Sequence, residues 1–286
     1  MRPKSVRERA VELYAPTVFS RADLVASGMS WRDIARAVDN GQLCRLRRDR
    51  YVLVPADPEI AEAVRIGGRL SCVSLLAEIG VFVQTRDRLH VHVAPGSSRV
   101  RRPRSPRTVL HWHSWSGETG PSHVVPVADA VAQAIRCQAP REAVATIDSI
   151  LHHGVMSWEE IVLVFETLPA RFAPLLAVVD ASAASGPETY MRLILRALGV
   201  AYETQVFIEG VGYVDFVVEG WLIIECDSKE FHEGWQKQVE DRRRDVVAAT
   251  RGYVTIRPLA ADILRADSAV RLTVAAVIRE LGPRFR

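Results

Sequence analysis

The chain has 286 residues, 48% of them hydrophobic, and a formal net charge of +3. It is too long for one small domain, and its apolar content suits ordinary soluble cores. No apolar run approaches the roughly 20 residues that span a bilayer, and the opening MRPKSVRERAVELYAP lacks the apolar centre of a secretory signal, so a cytoplasmic protein with no membrane partner is expected. The four cysteines, Cys44, Cys72, Cys137 and Cys226, form no C-x-x-C pair and read as free thiols. Positive charge is almost all arginine, since the only lysines are Lys4, Lys229 and Lys237. Arginines gather at 45–50, 99–107 and 242–244, as phosphate-docking patches or as solvated faces.

Residues 1–57 read as three short helices closed by a basic hairpin. The first runs from about Ser5 to Tyr14, and Ser20 caps RADLVASG. Ser30 with Asp33 opens WRDIARAVDNG, whose Ile34, Ala37 and Val38 share a face. Strands follow at Gln42–Leu46 and Tyr51–Val54. This is the order of a winged helix-turn-helix, and a helical protein–protein adaptor is the competing reading. In the winged-helix reading Trp31, Arg32 and Arg36 lie on the recognition helix, with Arg45, Arg47, Arg48 and Arg50 on the wing. The segment FSRADLVASGMSWRDIARAVDNGQLCRLRRDRYVLVP resembles the N-terminal winged helix of AbiEi-type antitoxins, which act as transcriptional repressors in toxin–antitoxin operons.

Residues 58–184 read as a mixed α/β middle region. Helices are expected at Glu59–Gly67, Ser71–Gly80, Val127–Cys137, Arg141–His153 and Trp158–Thr167, and strands at Leu89–Ala94 and Thr108–Trp115. Between the strands, RVRRPRSPR is a loop whose Arg101, Arg102 and Arg104 are available as a phosphate clamp. The pairs His90/His92 and His111/His113 each put two imidazoles on one strand face. No Cys or carboxylate in the sequence pattern completes a tetrahedral set around them, so chance pairs on partly exposed strands are the expected explanation.

From residue 185 the order is helix, three strands, helix, strand. Ser185-Gly186-Pro187-Glu188 starts a helix that ends at Gly199. Extended runs follow at Tyr202–Ile208, Val211–Val218 and Trp221–Asp227, the last two joined by Glu219-Gly220; a charged helix, Trp235–Thr250, and the strand YVTIRP complete the series. Strand alternation points Glu225 and Asp227 to one face, and hairpin pairing brings Asp215 beside them. Three converging carboxylates repel, and a divalent cation relieves the repulsion. Hard oxygens favour Mg²⁺ or Mn²⁺ over zinc.

These acids in VDFVVEGWLIIECDSKEFH, followed by VEDRRRDVVAATRGYVTIRP, resemble the PD-(D/E)XK nuclease core, in particular its Vsr-like branch and a related bacterial endonuclease-like family. The resemblance implies that Asp215 and Glu225 are the acids of the second and third core strands and Glu188 that of the first helix. Asp227 stands where the superfamily often has lysine, with Ser228 where the commonest pattern has glycine. His232 matches a histidine that Vsr-like enzymes use, and Arg243 and Asp245 match a polar signature on the following helix. Lys229, two residues past Asp227, offers a second register in which it neutralises phosphate or orients water, so Glu225/Asp227 and Asp227/Lys229 both stand as the catalytic pair.

The expected fold class is therefore multidomain α/β (α+β): a winged helix-turn-helix at 1–57, a mixed α/β region at 58–184, and an αβββαβ restriction-endonuclease-like core at 185–286. The expected activity is Mg²⁺-dependent DNA cleavage or nicking, with Asp215, Glu225 and Asp227 as metal ligands. Double-strand cleavage implies a homodimer. The alternative is a transcriptional regulator or antitoxin, with a cognate toxin as partner and a catalytically weak nuclease fold. RNA processing has no aromatic signature in its favour.

Overall fold

A computed structural model describes residues 2–112, 121–226, 235–265 and 267–282. The chain forms two compact units, one comprising Met1–Ala143 with His153–Leu176, the other Val144–His152 with Ala177–Arg286.

The first unit opens with α1 (Val6–Leu13), β1 (Val18–Phe19), α2 (Arg21–Ala26), α3 (Trp31–Asp39), β2 (Leu43–Arg47) and β3 (Arg50–Leu53). Each helix begins at a serine: Ser5 with Glu8, Ser20 with Asp23 and Ser30 with Asp33 form reciprocal capping boxes. These satisfy amide groups that the first helical turn leaves unpaired. The strand β1, which the hydrophobic pattern did not disclose, pairs antiparallel with β3 to give the order β1-β3-β2. Leu24, Ile34, Ala37, Leu43 and Tyr51 form the core beneath this sheet.

The same unit continues through α4 (Pro58–Ile66), β4 (Arg69–Leu70), α5 (Cys72–Glu78), β5 (His90–His92), β6 (Val109–His111) and α6 (Val127–Cys137). Next come α7 (Pro140–His152), which is divided between the units, α8 (Trp158–Glu166) and α9 (Ala173–Leu176). In the second sheet β4 is antiparallel and β6 parallel to the central β5. The boundary expected near residue 57 does not separate two packed bodies. Arg9 Nε donates to the Ile79 carbonyl at 2.9 Å, His123 Nε2 lies 2.8 Å from the Leu13 carbonyl, and an Arg101 guanidinium nitrogen donates to the Leu46 carbonyl at 2.9 Å. Short helices cannot bury enough surface alone, and these hydrogen bonds tie them to the following region.

The second unit contains α10 (Gly186–Leu198), β7 (Tyr202–Ile208), β8 (Gly212–Val218), β9 (Leu222–Ile224), α11 (Trp235–Thr250) and β10 (Val254–Ile256). Two C-terminal helices, α12 (Ala260–Arg265) and α13 (Asp267–Leu281), lie beyond the elements read from the sequence. The sheet order is β10-β9-β8-β7, with β7, β8 and β9 an antiparallel meander and β10 parallel to β9. The β8–β9 turn has φ of 51° at Glu219 and 75° at Gly220, the two positive values that a tight primed turn requires. Ile208, Val211, Val214, Val217, Ile223 and Ala248 pack as a core.

A buried ion pair ties α7 to α10 in this unit. Arg192 donates to Asp148 Oδ2 at 2.7 Å, and both side chains are almost wholly inaccessible, at 2% and 1%. Thr189 Oγ1 and the Asp180 amide, each at 2.8 Å, complete the carboxylate's shell. Burial raises the Asp148 carboxyl above its ordinary value, opposed chiefly by Arg192. Removing one member of a pair this deeply buried leaves an uncompensated charge. Arg192→Ala is therefore expected to cost about 3–5 kcal/mol in urea unfolding, whereas the double change Arg192→Met, Asp148→Leu costs much less; equal losses would show that the site tolerates an isolated carboxylate.

Candidate functional site

The second unit gathers acids at the middle of β8 and the end of β9. Thr204 pairs with Phe216 and Val206 with Val214, so Gln205 stands across from Asp215. Gln205 has φ of 52°, a left-handed conformation rare for a non-glycine residue inside a strand. From that position its amide donates to Glu188 Oε2 at 2.9 Å and reaches Asp215 Oδ1 at 3.5 Å. Glu188, in the first turn of α10 and only 7% exposed, also accepts from Ser185 Oγ at 2.7 Å and the Ala184 amide at 2.9 Å. The other Asp215 oxygen accepts the Cys226 amide at 2.8 Å.

Glu225 follows β9, where its amide donates to the Ile256 carbonyl of β10 at 3.1 Å. Its carboxylate faces two arginines: Arg244 of α11 at 3.5 Å and Arg257, just past β10, at 3.7 Å. Arg257 also binds Asp245 at 2.8 Å. Arg244 donates to the Val211 and Tyr213 carbonyls, both at 2.6 Å, which fixes α11 against the start of β8.

The electrostatics of the two strand acids differ. Burial, then the charges of Glu188 and Glu225, push the Asp215 carboxyl up from 3.8 to about 7, against the Cys226 amide. Burial also raises Glu225, but Arg257 and Arg244 oppose it. Asp215 has no cation of its own in this set, whereas Glu225 has two. Burial and the same three acids push the Cys226 thiol upward as well.

The structure thus brings together Glu188, Asp215 and Glu225, although among the described residues these acids do not form a compact metal-ligand cluster. Asp227, Lys229 and His232 lie outside the described residues. Arg244 rather than Arg243 reaches the acids, since Arg243 is exposed. Sequence reasoning missed Gln205, Arg244 and Arg257. Nothing local marks Gln205, whose role comes from an unusual φ, and Arg244 is one of three consecutive arginines.

In the first unit the two arginine runs merge. An Arg47 guanidinium nitrogen donates to the Arg99 carbonyl at 3.4 Å, and Arg101 reaches back to β2. Partial burial, then Arg101, Arg50 and Arg99, lower the Arg47 pKa, the effect of like charges held close. Arg45 and Arg48 are exposed, as are Trp31, Arg32 and Arg36 on α3. Arg21 lies over the Trp31 ring at 4.1 Å, and Arg36 meets Asp33 at 3.5 Å. Arg104 is partly engaged, with its amide on Glu62 at 2.9 Å, and the Arg102 carbonyl accepts from Arg65 at 2.8 Å.

The histidines depart from expectation. His113 lies outside the described residues, but His90 and His111 are buried together, and Cys72 and Cys137 join them in one cluster. The expectation that no cysteine completes the set is thereby corrected. Four helix and strand ends meet there from residues scattered across 72–137.

The raised Asp215 pKa has a consequence for stability. The folded chain holds this proton more tightly than the unfolded chain, so stability falls as pH rises from about 3.8 to about 7 and the loss is complete above that. Asp215→Asn should match the wild type at the acid end and become the more stable protein above neutrality, as read by urea unfolding across that range. A constant difference between the two would show that Asp215 titrates normally.

No family model matches this chain and no curated protein is significantly similar to it, so the site is interpreted from its own chemistry.

Proposed function

We propose that the protein is a metal-dependent endonuclease or nickase that hydrolyses DNA, with Asp215 and Glu225 as metal-holding carboxylates. The observation that carries this reading is the convergence of Glu188, Asp215 and Glu225, linked through Gln205 and the Cys226 amide, where burial and the neighbouring acids push the Asp215 carboxyl up to about 7. Such a cluster is electrostatically costly without a cation and stable with one. Its donors are hard oxygens, which fit Mg²⁺ or Mn²⁺. A frame of helix, three strands, helix and strand supports the resemblance to the PD-(D/E)XK core. The capped three-helix segment with its arginine-bearing hairpin supports a winged helix.

When bound, a divalent cation lowers the pKa of a water and stabilises charge on the phosphate. The remaining work falls to the chain. The Cys226 amide and Gln205 fix the Asp215 carboxylate from both oxygens. Arg244 and Arg257 brace Glu225 and hold positive charge beside the site. Glu188 acts as a positioning residue, closing the α10 N-terminus while orienting Gln205. Asp227 is the proposed third ligand, and Lys229 and His232 are the proposed phosphate-neutralising and proton-moving groups. Arg45, Arg47, Arg48, Arg50, Arg101, Arg102, Arg104 and Arg243, with Trp31, Arg32 and Arg36, supply DNA affinity in this reading.

Incubation with supercoiled DNA and Mg²⁺ or Mn²⁺ is expected to give nicked or linear product. Asp215→Asn and Glu225→Gln should each lose at least about a hundredfold in rate. Cleavage that persists unchanged in both variants would remove the assignment.

One observation favours a second reading, a DNA-binding regulator or antitoxin: Glu225 is already ion-paired to two arginines, as in a purely structural cluster. Tight, metal-independent binding to a promoter without cutting, together with capture of a cognate toxin, would select it. Both readings predict salt-sensitive DNA binding. Each arginine that contacts a phosphate contributes roughly 0.9 to the slope of log K against log salt, so Arg47→Ala with Arg101→Ala should flatten it by about 2. An unchanged slope would place the DNA surface elsewhere.

A further inference from the structure

We propose that Cys72, His90, His111 and Cys137 form a tetrahedral structural Zn²⁺ site in the first unit. One ligand atom from each residue lies within 4.8 Å of the other three. Four protein ligands around zinc, with bonds of about 2.3 Å to sulfur and 2.0–2.1 Å to nitrogen, require ligand separations of roughly 3.3–3.8 Å. His90 Nδ1 stands 3.1 Å from His111 Nε2, and Cys137 Sγ stands 3.9 Å from the same nitrogen. One imidazole nitrogen cannot make a full hydrogen bond to both neighbours, whereas all of these atoms can face one ion at their centre.

The fold builds this convergence from four elements. Cys72 is the first residue of α5, His90 the first of β5, His111 the last of β6 and Cys137 the last of α6. On the parallel strands His92 is paired with His111, which places His90 one alternation away on the same face. On α6, Gln133 and Cys137 are one turn apart. Gln133 reaches His92 at 3.1 Å, so the same helix face turns Cys137 toward His111. Cys72 has a φ of 53° at a fully buried position, a strained conformation that surrounding structure must hold in place. The Ser74 hydroxyl accepts the His90 amide at 2.9 Å and fixes the backbone beside the ligand.

The donor chemistry separates this site from the carboxylate site. Two thiolates and two imidazoles suit Zn²⁺ and reject Mg²⁺. With four protein ligands the shell is closed, so the ion's role is to staple α5, β5, β6 and α6 rather than to activate water.

The test uses the full chain purified under reducing conditions without chelator. Elemental analysis is expected to give one zinc per chain, and Co²⁺ exchange should give tetrahedral d–d bands with a thiolate charge-transfer band. Cys137→Ser, chosen because this ligand is exposed, and with its fold checked by circular dichroism, should bind zinc at least about tenfold more weakly. Cys44→Ser, an exposed cysteine outside the cluster, should leave zinc content unchanged. Chelation should lower the wild-type melting temperature and have little effect on Cys137→Ser. Substoichiometric metal even after incubation with Zn²⁺, equal zinc in Cys137→Ser and wild type, or a cobalt spectrum without the thiolate band would each overturn the proposal. DNA cleavage plays no part in these readouts, so their failure is independent of the nuclease reading.

Discussion

The second unit is constrained by a half-buried carboxylate, Asp215, held in the middle of a sheet. A strand interior is a poor place for a charge, because burial penalises the ionised form and the neighbouring acids add to that penalty. The chain has compensated with fixed dipoles: the Cys226 amide on one oxygen and the Gln205 side chain on the other. Gln205 does this from a left-handed φ, so backbone strain, an unfavourable ionisation and a saturated Glu188 occur at one place. A residue chosen only for packing would have avoided all three. Accumulated local cost of this kind accords with the proposed metal-holding role, and the compensations that hold it are spread over α10, β7 and the end of β9.

Arginine organises the other side of that cluster in a different way. Arg244 spends most of its donors on two backbone carbonyls of the β8 region, and only a long contact on Glu225. Arg257 is pulled between Asp245 and Glu225. Neither arginine fully neutralises Glu225, whose carboxyl stays raised. The planar, always-charged guanidinium suits this dual role, joining a helix to a strand while presenting positive charge to Glu225.

How much of this was legible in the sequence follows from what is local and what is not. Serine caps three residues ahead of an acid announced α1, α2 and α3, because the capping geometry needs only four consecutive residues. The order of α10, β7, β8, β9, α11 and β10 was readable because apolar runs and breakers alternate, and Glu219-Gly220 marked its turn. By contrast β1 and β4 have two residues each, too short to show a period, and exist only through their partners. Strand alternation and hairpin pairing put Asp215 beside Glu225, and Glu188 was implied only by the family resemblance, but Gln205, Arg244 and Arg257 required the register and the helix docking. Likewise, merging of the wing-like hairpin with the 99–104 loop depends on backbone contacts some 50 residues apart in sequence.

The Cys and His residues make the same point more sharply. Metal sites are recognised in sequence when two ligands share one turn or one hairpin, since that fixes their spacing. Here every ligand comes from the end of a separate element, and the gaps between them are 18, 21 and 26 residues. The alternating His90/His92 pair drew attention to the strand, yet alternation paired the wrong atoms: His92 turns to Gln133, and His90 finds its partner on the next strand instead. Strand ends and helix ends are where side chains from different elements can converge without interrupting a hydrogen-bond ladder. The oxygen-rich cluster at the end of β9 and the sulfur–nitrogen cluster at the ends of α5, β5, β6 and α6 both obey that rule. Their donors differ in softness, so the two proposed sites would select different cations.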